Sequence, residues 1–433
     1  MDDVTIAFIF VIFSCGPGWV FYNCLFFQLP YFQQHQPEGI CLGTFMNLWG
    51  SFASVLTFCF YLLDGYIFNF NIDILTIFML FITPISVIVC AFTYSIDIEG
   101  ISWPLYIFSV IAAMIGNMSS QTVYPFLTRY KEQYNIVARS ASDIFTVFIC
   151  FLVLFQNPGS KDIRFSPFIF FLAIGVFFLI FPPSCFLYIY LTGIGLKDEK
   201  EDIEQAESLL LESELEFHDV GRRRSHKSSS SSSSTSIRSR AQSSESEEDT
   251  WFFQSNGVAT KDNLWFYVAF ICVQDFFTWG LFSSLAPFAF EKNSSDMEQA
   301  SIYLSYAFIL SSMMIVAGSL STYVFNIPMM LSLVVFIFCA GLLCLSATSL
   351  SLSIFYGRCW ALVALYAVGT YLTAHNNTQV FNSISSSIDK EFREEGVKAV
   401  GVATMIACLL GNIVAYIIAS FIFKCPVLYT SSS

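Results

Sequence analysis

Charge is scarce in this chain, and much of it is crowded into one place. Charged residues make up 12% of 433 positions, too few to cover a soluble globule of that length in water. The net charge of -13 is also less general than it looks, because 15 of the 33 acidic residues lie between Asp198 and Asp262. Histidine is rare, with four copies, and no HExxH, GxSxG or GxxxxGK[ST] pattern occurs. Zinc hydrolase, serine hydrolase and nucleotide-hydrolysing chemistry therefore lack their parts, and no enzyme activity is expected. No CxxC or Cys/His metal spacing is present, so neither metal nor cofactor is expected. The one basic cluster, Arg222 to Lys227, runs into serines without interleaved aromatics, which argues against a nucleic-acid partner. The N-terminus has Asp2 and Asp3 where a secretory signal has basic residues. Thr5 to Phe27 is accordingly expected to remain as a first membrane span.

What the chain does have is apolar length: 55% of residues are hydrophobic, with 49 Phe. About 20 apolar residues cross a bilayer core, and lipid-facing backbone must be helical to pair its polar groups. Eleven such runs lie near 5–27, 43–63, 74–95, 102–126, 136–156, 167–192, 263–288, 301–324, 327–350, 356–385 and 397–423. The expected fold is an all-α polytopic membrane protein in a 6+5 arrangement, with the lipid bilayer as its surroundings. Residues 1–196 form a six-helix N-terminal bundle and 263–433 a five-helix C-terminal one. Between them, 197–262 is a Ser-rich, acidic cytoplasmic loop with too little apolar surface to fold alone. It is read as a flexible linker, or alternatively as a kinase-addressed segment, since its serines flank charged residues. The cysteines in apolar runs, such as Cys59, Cys90, Cys150 and Cys272, read as small buried hydrophobes.

Lys and Arg placement favours a cytoplasmic N-terminus and an extracellular C-terminus, with fifteen basic residues on the inner segments and five on the outer ones. That orientation exposes the Asn293-Ser294-Ser295 sequon for glycosylation. It also places Cys41, Cys359 and Cys425 near the oxidising side, where a bridge could form.

Polar side chains inside hydrocarbon are costly, so their clusters point to a pathway or to interhelical bonding. The first span carries Trp19, Tyr22, Asn23 and Gln28. The fourth carries Asn117, Gln121 and Tyr124, and the seventh Gln274, Asp275, Thr278 and Trp279. The tenth carries His375, Asn376, Asn377, Gln379 and Asn382. His375, Gln379 and Asn382, spaced i, i+4, i+7, share one helical face and could present donors and acceptors to a cavity. Amides and a neutral imidazole suit an uncharged ligand rich in hydroxyls and carbonyls, and Trp19, Tyr22, Tyr124 and Trp279 offer flat surfaces to a planar ring. Asp275 and Asp143 are the main embedded carboxylates, and Asp143 lies one turn from Arg139.

The stretch Gly18-Trp19-Val20, Asn23, Gln28-Leu29-Pro30 and Pro37-Glu38-Gly39 resembles the first helix and first external loop of eukaryotic riboflavin transporters. Their pattern is roughly GSWVxxNxxWxELP followed by LPEG. Tyr124 to Tyr130, with Pro125 and Arg129, is similar to their fourth-span exit. Weaker likeness follows through Gln274 to Phe288, from Tyr371-Leu372, and through Gly401 to Phe423. This chain has Gln28 where that family has Glu, and Phe26 or Phe27 where it has Trp.

The resemblance implies a plasma-membrane, alternating-access carrier whose small-molecule substrate is riboflavin or a related flavin. Substrate contacts are expected among Trp19, Asn23, Gln28, Gln121, Tyr124, Asp275, Trp279, His375, Asn376 and Gln379, drawn from the polar and aromatic clusters, and of these Trp19, Asn23 and Gln28 also match the family's motifs. The resemblance also implies cysteines in the regions of Cys359 and Cys425, making that pair the expected bridge. Two other readings stay open: a carrier of another neutral solute, such as a relative of the equilibrative nucleoside transporters, and a transporter-derived receptor or scaffold that moves nothing.

Overall fold

The computed structural model describes residues 2–63, 70–127, 129–196, 261–322, 324–348, 355–387 and 390–425. The linker from 197 to 260, with its serine run, lies outside the described residues. The described chain is helical, without a strand. Its first part comprises α1 (Asp3–Cys15), α2 (Val20–Phe27), α3 (Leu29–His35), a short 3-10 turn (Gly39–Cys41), α4 (Leu42–Leu63), α5 (Ile72–Thr93), α6 (Trp103–Leu127), α7 (Glu132–Arg139), α8 (Ala141–Gln156) and α9 (Pro167–Thr192). After the linker come α10 (Lys261–Asp275), which continues through a π-helical segment (Phe276–Phe282) into α11 (Ser283–Asn293), then α12 (Met297–Ser321), α13 (Met329–Thr348), α14 (Cys359–Ser387) and α15 (Lys390–Ile422).

Among the described residues each of the eleven apolar windows is mainly helix. Seven segments among the described residues are by themselves long and apolar enough to cross a membrane, including Ile72–Thr93, Pro167–Thr192 and Leu264–Asn293. The first span differs from the expected straight helix. It is two helices, α1 and α2, bent by 66°. The cause is local: Gly16-Pro17-Gly18 interrupts the run, Pro17 has no N–H to donate, and the glycines let the bend press against α9 and α8. A Cβ at Gly16 would stand 2.9 Å from Pro182, and one at Gly18 2.8 Å from Ser142.

Helix ends follow their sequence. Asn71 caps α5 by accepting from the Asp73 N–H at 2.8 Å, and Asp296 caps α12 by accepting from Gln299 N–H at 2.8 Å. Asn157 and Gly193 end α8 and α9 in left-handed geometry. Helix α9 is apolar all round. It buries Phe170, Phe171, Ile174 and Phe178 while exposing Ile180, Phe181, Leu187 and Leu191, which is the pattern of a helix with lipid on one side.

The helices before the linker pack mainly on one another, as do those after it. The two sets meet where α4 lies against α15 and α11, and where α2, α3 and α8 lie against α12. At one end of the molecule this junction is covalent, because Cys41 is bridged to Cys425. This corrects the expected Cys359–Cys425 pair. Cys359 is free and buried, its thiol donating to the Asn293 carbonyl at 3.3 Å and lying 3.2 Å from Ser294 Oγ. It sits at the start of α14, whereas the end of α15 packs beside the start of α4. On the same face Lys161 pairs with Glu298 at 3.3 Å.

Candidate functional site: three polar clusters around the first, seventh and tenth spans

The first cluster grows from the broken first span. Trp19 opens α2, is 38% exposed and meets Tyr22 edge-on at 5.7 Å. Its indole lies on Gly116 of α6, where any Cβ would stand 2.5 Å from the ring. Tyr22 donates to Asn47 Oδ1 at 3.2 Å, and Asn23 donates to Thr146 Oγ1 of α8 at 3.2 Å. Gln28 is fully buried and donates to Gln156 Oε1 at 2.6 Å, and Gln156 in turn donates to the Phe165 carbonyl. Two buried polar atoms here have no partner, Gln28 Oε1 and Asn47 Nδ2. Orphans of this kind are rare in native interiors and mark places where something else binds or where strain is tolerated.

The second cluster joins the seventh and tenth spans. Gln274 donates to Asn377 Oδ1 at 2.6 Å and to the Thr373 carbonyl at 3.3 Å, and it accepts from Asn376 Nδ2 at 2.7 Å. Asn376 also accepts from the Ser332 hydroxyl. His375 is buried, and both of its ring nitrogens are engaged. The Ile327 N–H donates to Nε2 at 3.2 Å, so Nδ1 carries the proton and donates to Ser321 Oγ at 2.7 Å, while Ser321 donates to the Gly318 carbonyl. Gln379 donates to the Ile327 carbonyl at 3.0 Å.

His375 and Gln379 thus share a face, as their spacing requires. That face is turned to the α12–α13 connection, with Asn382 exposed beyond it. Asn376 lies on the other side, against α10. The side chains of Gln121 and Tyr124, on α6, lie outside the described ones.

The third cluster has no counterpart in the sequence reading. Asn412 of α15 donates to Ser51 Oγ at 2.6 Å and to the Trp279 carbonyl at 3.2 Å, and accepts from Ser284 Oγ at 2.7 Å. Thr44 of α4 donates to the Ser284 carbonyl at 3.0 Å. Four helical segments from the two ends of the sequence are tied together by these bonds. The available signal was Asn412 itself, a lone amide in the apolar run from 402 to 423. Nearby, Asp275 ends α10 at 1% exposure with Oδ2 accepting from Thr404 Oγ1 at 2.8 Å. The Trp279 side chain, 40% exposed, follows one turn later.

Two motif residues have structural work in this geometry. Glu38 is buried and accepts from the Ser102 N–H at 2.6 Å, the Ser102 hydroxyl at 2.7 Å and the Tyr106 hydroxyl at 2.7 Å. It satisfies the start of α6, as an anion at a helix N-terminus should. Arg129 pairs with Asp73 at 2.7 Å and lies over the Phe126 ring, tying the exit of α6 to the start of α5.

Asn293, expected to carry a glycan, is fully buried. Its amide nitrogen donates to the Ala289 carbonyl at 2.7 Å and to the Ser346 carbonyl at 3.4 Å. That expectation is corrected, because a sugar on this nitrogen has no exit in the folded chain.

Comparison with known proteins places this geometry. Two solved transporters share the fold. A bacterial homologue of the human lysosomal transporter Spinster, inward-facing and unoccupied, is 12% identical with a TM-score of 0.52 over 97% of this chain and 82% of its own. A point mutant of the nucleoside transporter NupG is 12% identical with a TM-score of 0.52 over 96% and 91%. No curated protein sequence matches the chain. The chain therefore shares its helical fold with these two proteins. Over residues 2–157, from α1 to the end of α8, it matches the model of solute carrier family 52, riboflavin transporter.

Proposed function

We propose that this transporter carries riboflavin, or a closely related flavin, across the plasma membrane by alternating access. The observation that carries the reading is the match of residues 2–157 to the riboflavin transporter model, which contains every side chain of the first cluster. The chemistry there supports it. Trp19, seated on Gly116, offers a ring face to an isoalloxazine, and the Asn23 amide and the unpartnered Asn47 Nδ2 offer hydrogen bonds to an uncharged ligand. Trp279 is a second partly exposed indole, on the seventh span. The amides of Gln274, Asn376 and Gln379 and the His375 imidazole lock helices together. The two parts of the chain on either side of the linker rock about their shared junction. The Cys41–Cys425 bridge supports placing its face outside, since disulfides persist in oxidising compartments. The N-terminus of α1 is then cytoplasmic.

The test is uptake of radiolabelled riboflavin into cells expressing the chain, with unlabelled riboflavin or adenosine as competitor. Saturable uptake blocked by riboflavin alone is expected. Blockade by adenosine would instead assign the carrier to nucleosides, and binding without accumulation would assign it to a receptor role.

A further inference from the structure

The seventh span holds a carboxyl group that the proposed flavin contacts do not use. Asp275 is the last residue of α10, at the point where the α-helix gives way to the π-helical segment, and local π geometry is frequent at functional sites. It is 1% exposed. Oδ2 has one donor, the Thr404 hydroxyl, while Oδ1 is buried without a hydrogen bond, the Gln274 side-chain amide being the other polar group beside the carboxyl. The ion pairs among the described residues are Arg129–Asp73 and Lys161–Glu298, neither of which reaches it. The titratable groups beside it are thiols: Cys272 one turn earlier on its own helix, and Cys408 one turn beyond Thr404 on α15. Helix α14 turns Asn376 and Asn377 to Gln274 and keeps His375 on Ser321 and Ile327, and α13 contributes Ser332 to Asn376. From α11, Ser284 faces Asn412.

A buried carboxylate without a counter-charge is costly in a membrane interior, and the described surroundings offer no cation and no metal-binding group of three or more ligands. The species that fits Oδ1 without parting α10 from α15 is a single proton. We propose that Asp275 is the proton-binding site of this transporter, taking a proton on Oδ1 and releasing it once per cycle. Its placement gives the proton a lever. Thr404, Cys408 and Asn412 follow one another at four-residue spacing along α15. The first touches Asp275, and the last holds the Trp279 carbonyl and Ser51 across the junction. A change of charge at Asp275 therefore acts on the same helix face that joins the two parts of the molecule.

The site is tested without substrate by infrared difference spectra of the purified protein between acidic and alkaline pH. A protonated-carboxyl band that disappears in Asp275→Asn and moves in frequency in Thr404→Val supports the proposal. A band unchanged in both variants overturns it.

Coupling, which rests on the flavin reading, is tested in proteoliposomes. With an inward gradient of one pH unit, one proton per substrate gives accumulation up to about tenfold. Asp275→Asn is expected to bring accumulation to the equilibrium level while riboflavin counterflow continues, and Asp275→Glu to restore the gradient response. Equal gradient-driven accumulation in wild type and Asp275→Asn sinks the coupling role. Absence of counterflow in the wild type, with the infrared band present, overturns the flavin reading and leaves the proton site standing.

Discussion

The Asn412 amide of α15 reaches the Ser51 hydroxyl of α4 across 2.6 Å, joining residues 361 positions apart. The two hydrogens of that amide nitrogen are shared among Ser51 and the Trp279 and Cys408 carbonyls, and its oxygen takes the Ser284 hydroxyl. Truncating it strands several buried groups, each worth about 1–3 kcal/mol when left unpaired. The loss falls on contacts that hold the two parts together at the middle of α4 and of the membrane-spanning part of α15. Asn412→Ala is expected to loosen the junction there and admit water to Ser284. With a cysteine placed at Ser284, labelling by a membrane-impermeant maleimide should be faster in the Asn412→Ala background. Equal labelling rates would reduce Asn412 to a local packing residue.

Gly116 and Trp19 make the clearest test of the flavin surface. A methyl group at 116 would meet the indole at 2.5 Å, and a rigid ring cannot give that distance by a small rotation. Gly116→Ala is expected to tilt Trp19 and weaken riboflavin binding about 3- to 10-fold, the scale of a ring contact worth ~0.5–1.5 kcal/mol. Surface expression should stay near normal. An unchanged half-saturation concentration would remove Trp19 from the binding surface.

His375 leads to the opposite expectation. Both ring nitrogens are committed, to the Ile327 N–H and to Ser321. His375→Leu should lower stability by about 1–3 kcal/mol through the stranded partners, read as a lower melting temperature in detergent. Transport by the molecules that do fold should show the wild-type half-saturation concentration. A large rise in that concentration at unchanged melting temperature would return the imidazole to the ligand.

Outside the membrane, Asp296 gives a pH prediction with a definite sign. The Gln299 N–H, and after it the Ser295 hydroxyl, hold this exposed carboxyl below its usual range. The folded value is thus below the unfolded one of about 3.9. Its contribution is complete above the unfolded value and is lost as pH falls through the folded one. Asp296→Ala is expected to melt lower than wild type at neutral pH, with the difference closing below about pH 4. A difference that persists undiminished into acid would show that the cap acts through something other than its charge.

Much of the architecture was readable from apolar length alone, because a bilayer permits few alternatives to a helix of about 20 residues. Among the described residues each of the eleven windows is mainly helix, and seven of them hold a helix long and apolar enough to cross alone. The bend in the first span was also written in Gly16-Pro17-Gly18, yet a hydropathy window averages over such a break. The sites were harder. Spacing correctly put His375 and Gln379 on one face, but periodicity says nothing about which neighbour that face meets, and here it meets the α12–α13 connection. The Asn412 junction needed three dimensions, since Ser51, Thr44 and Ser284 are ordinary small residues in apolar runs. The bridge failed for the same reason. Three cysteines at one end of the molecule leave the pairing to tertiary distance, and the end of α15 lies by Cys41.

That bridge has a bearing on how the molecule is made. Cys41 emerges early in synthesis and Cys425 at the end of the described chain, 384 residues later, so every helix from α4 to α15 lies within one covalent loop. The bond closes only after α15 has been inserted and has found its place beside α4. A molecule whose last helix is missing or misdirected keeps a free thiol at Cys41. The fraction of surface chains with that thiol available for labelling is therefore a count of incompletely assembled protein. A cell that retains proteins with unpaired thiols could use the same group to withhold them from the membrane.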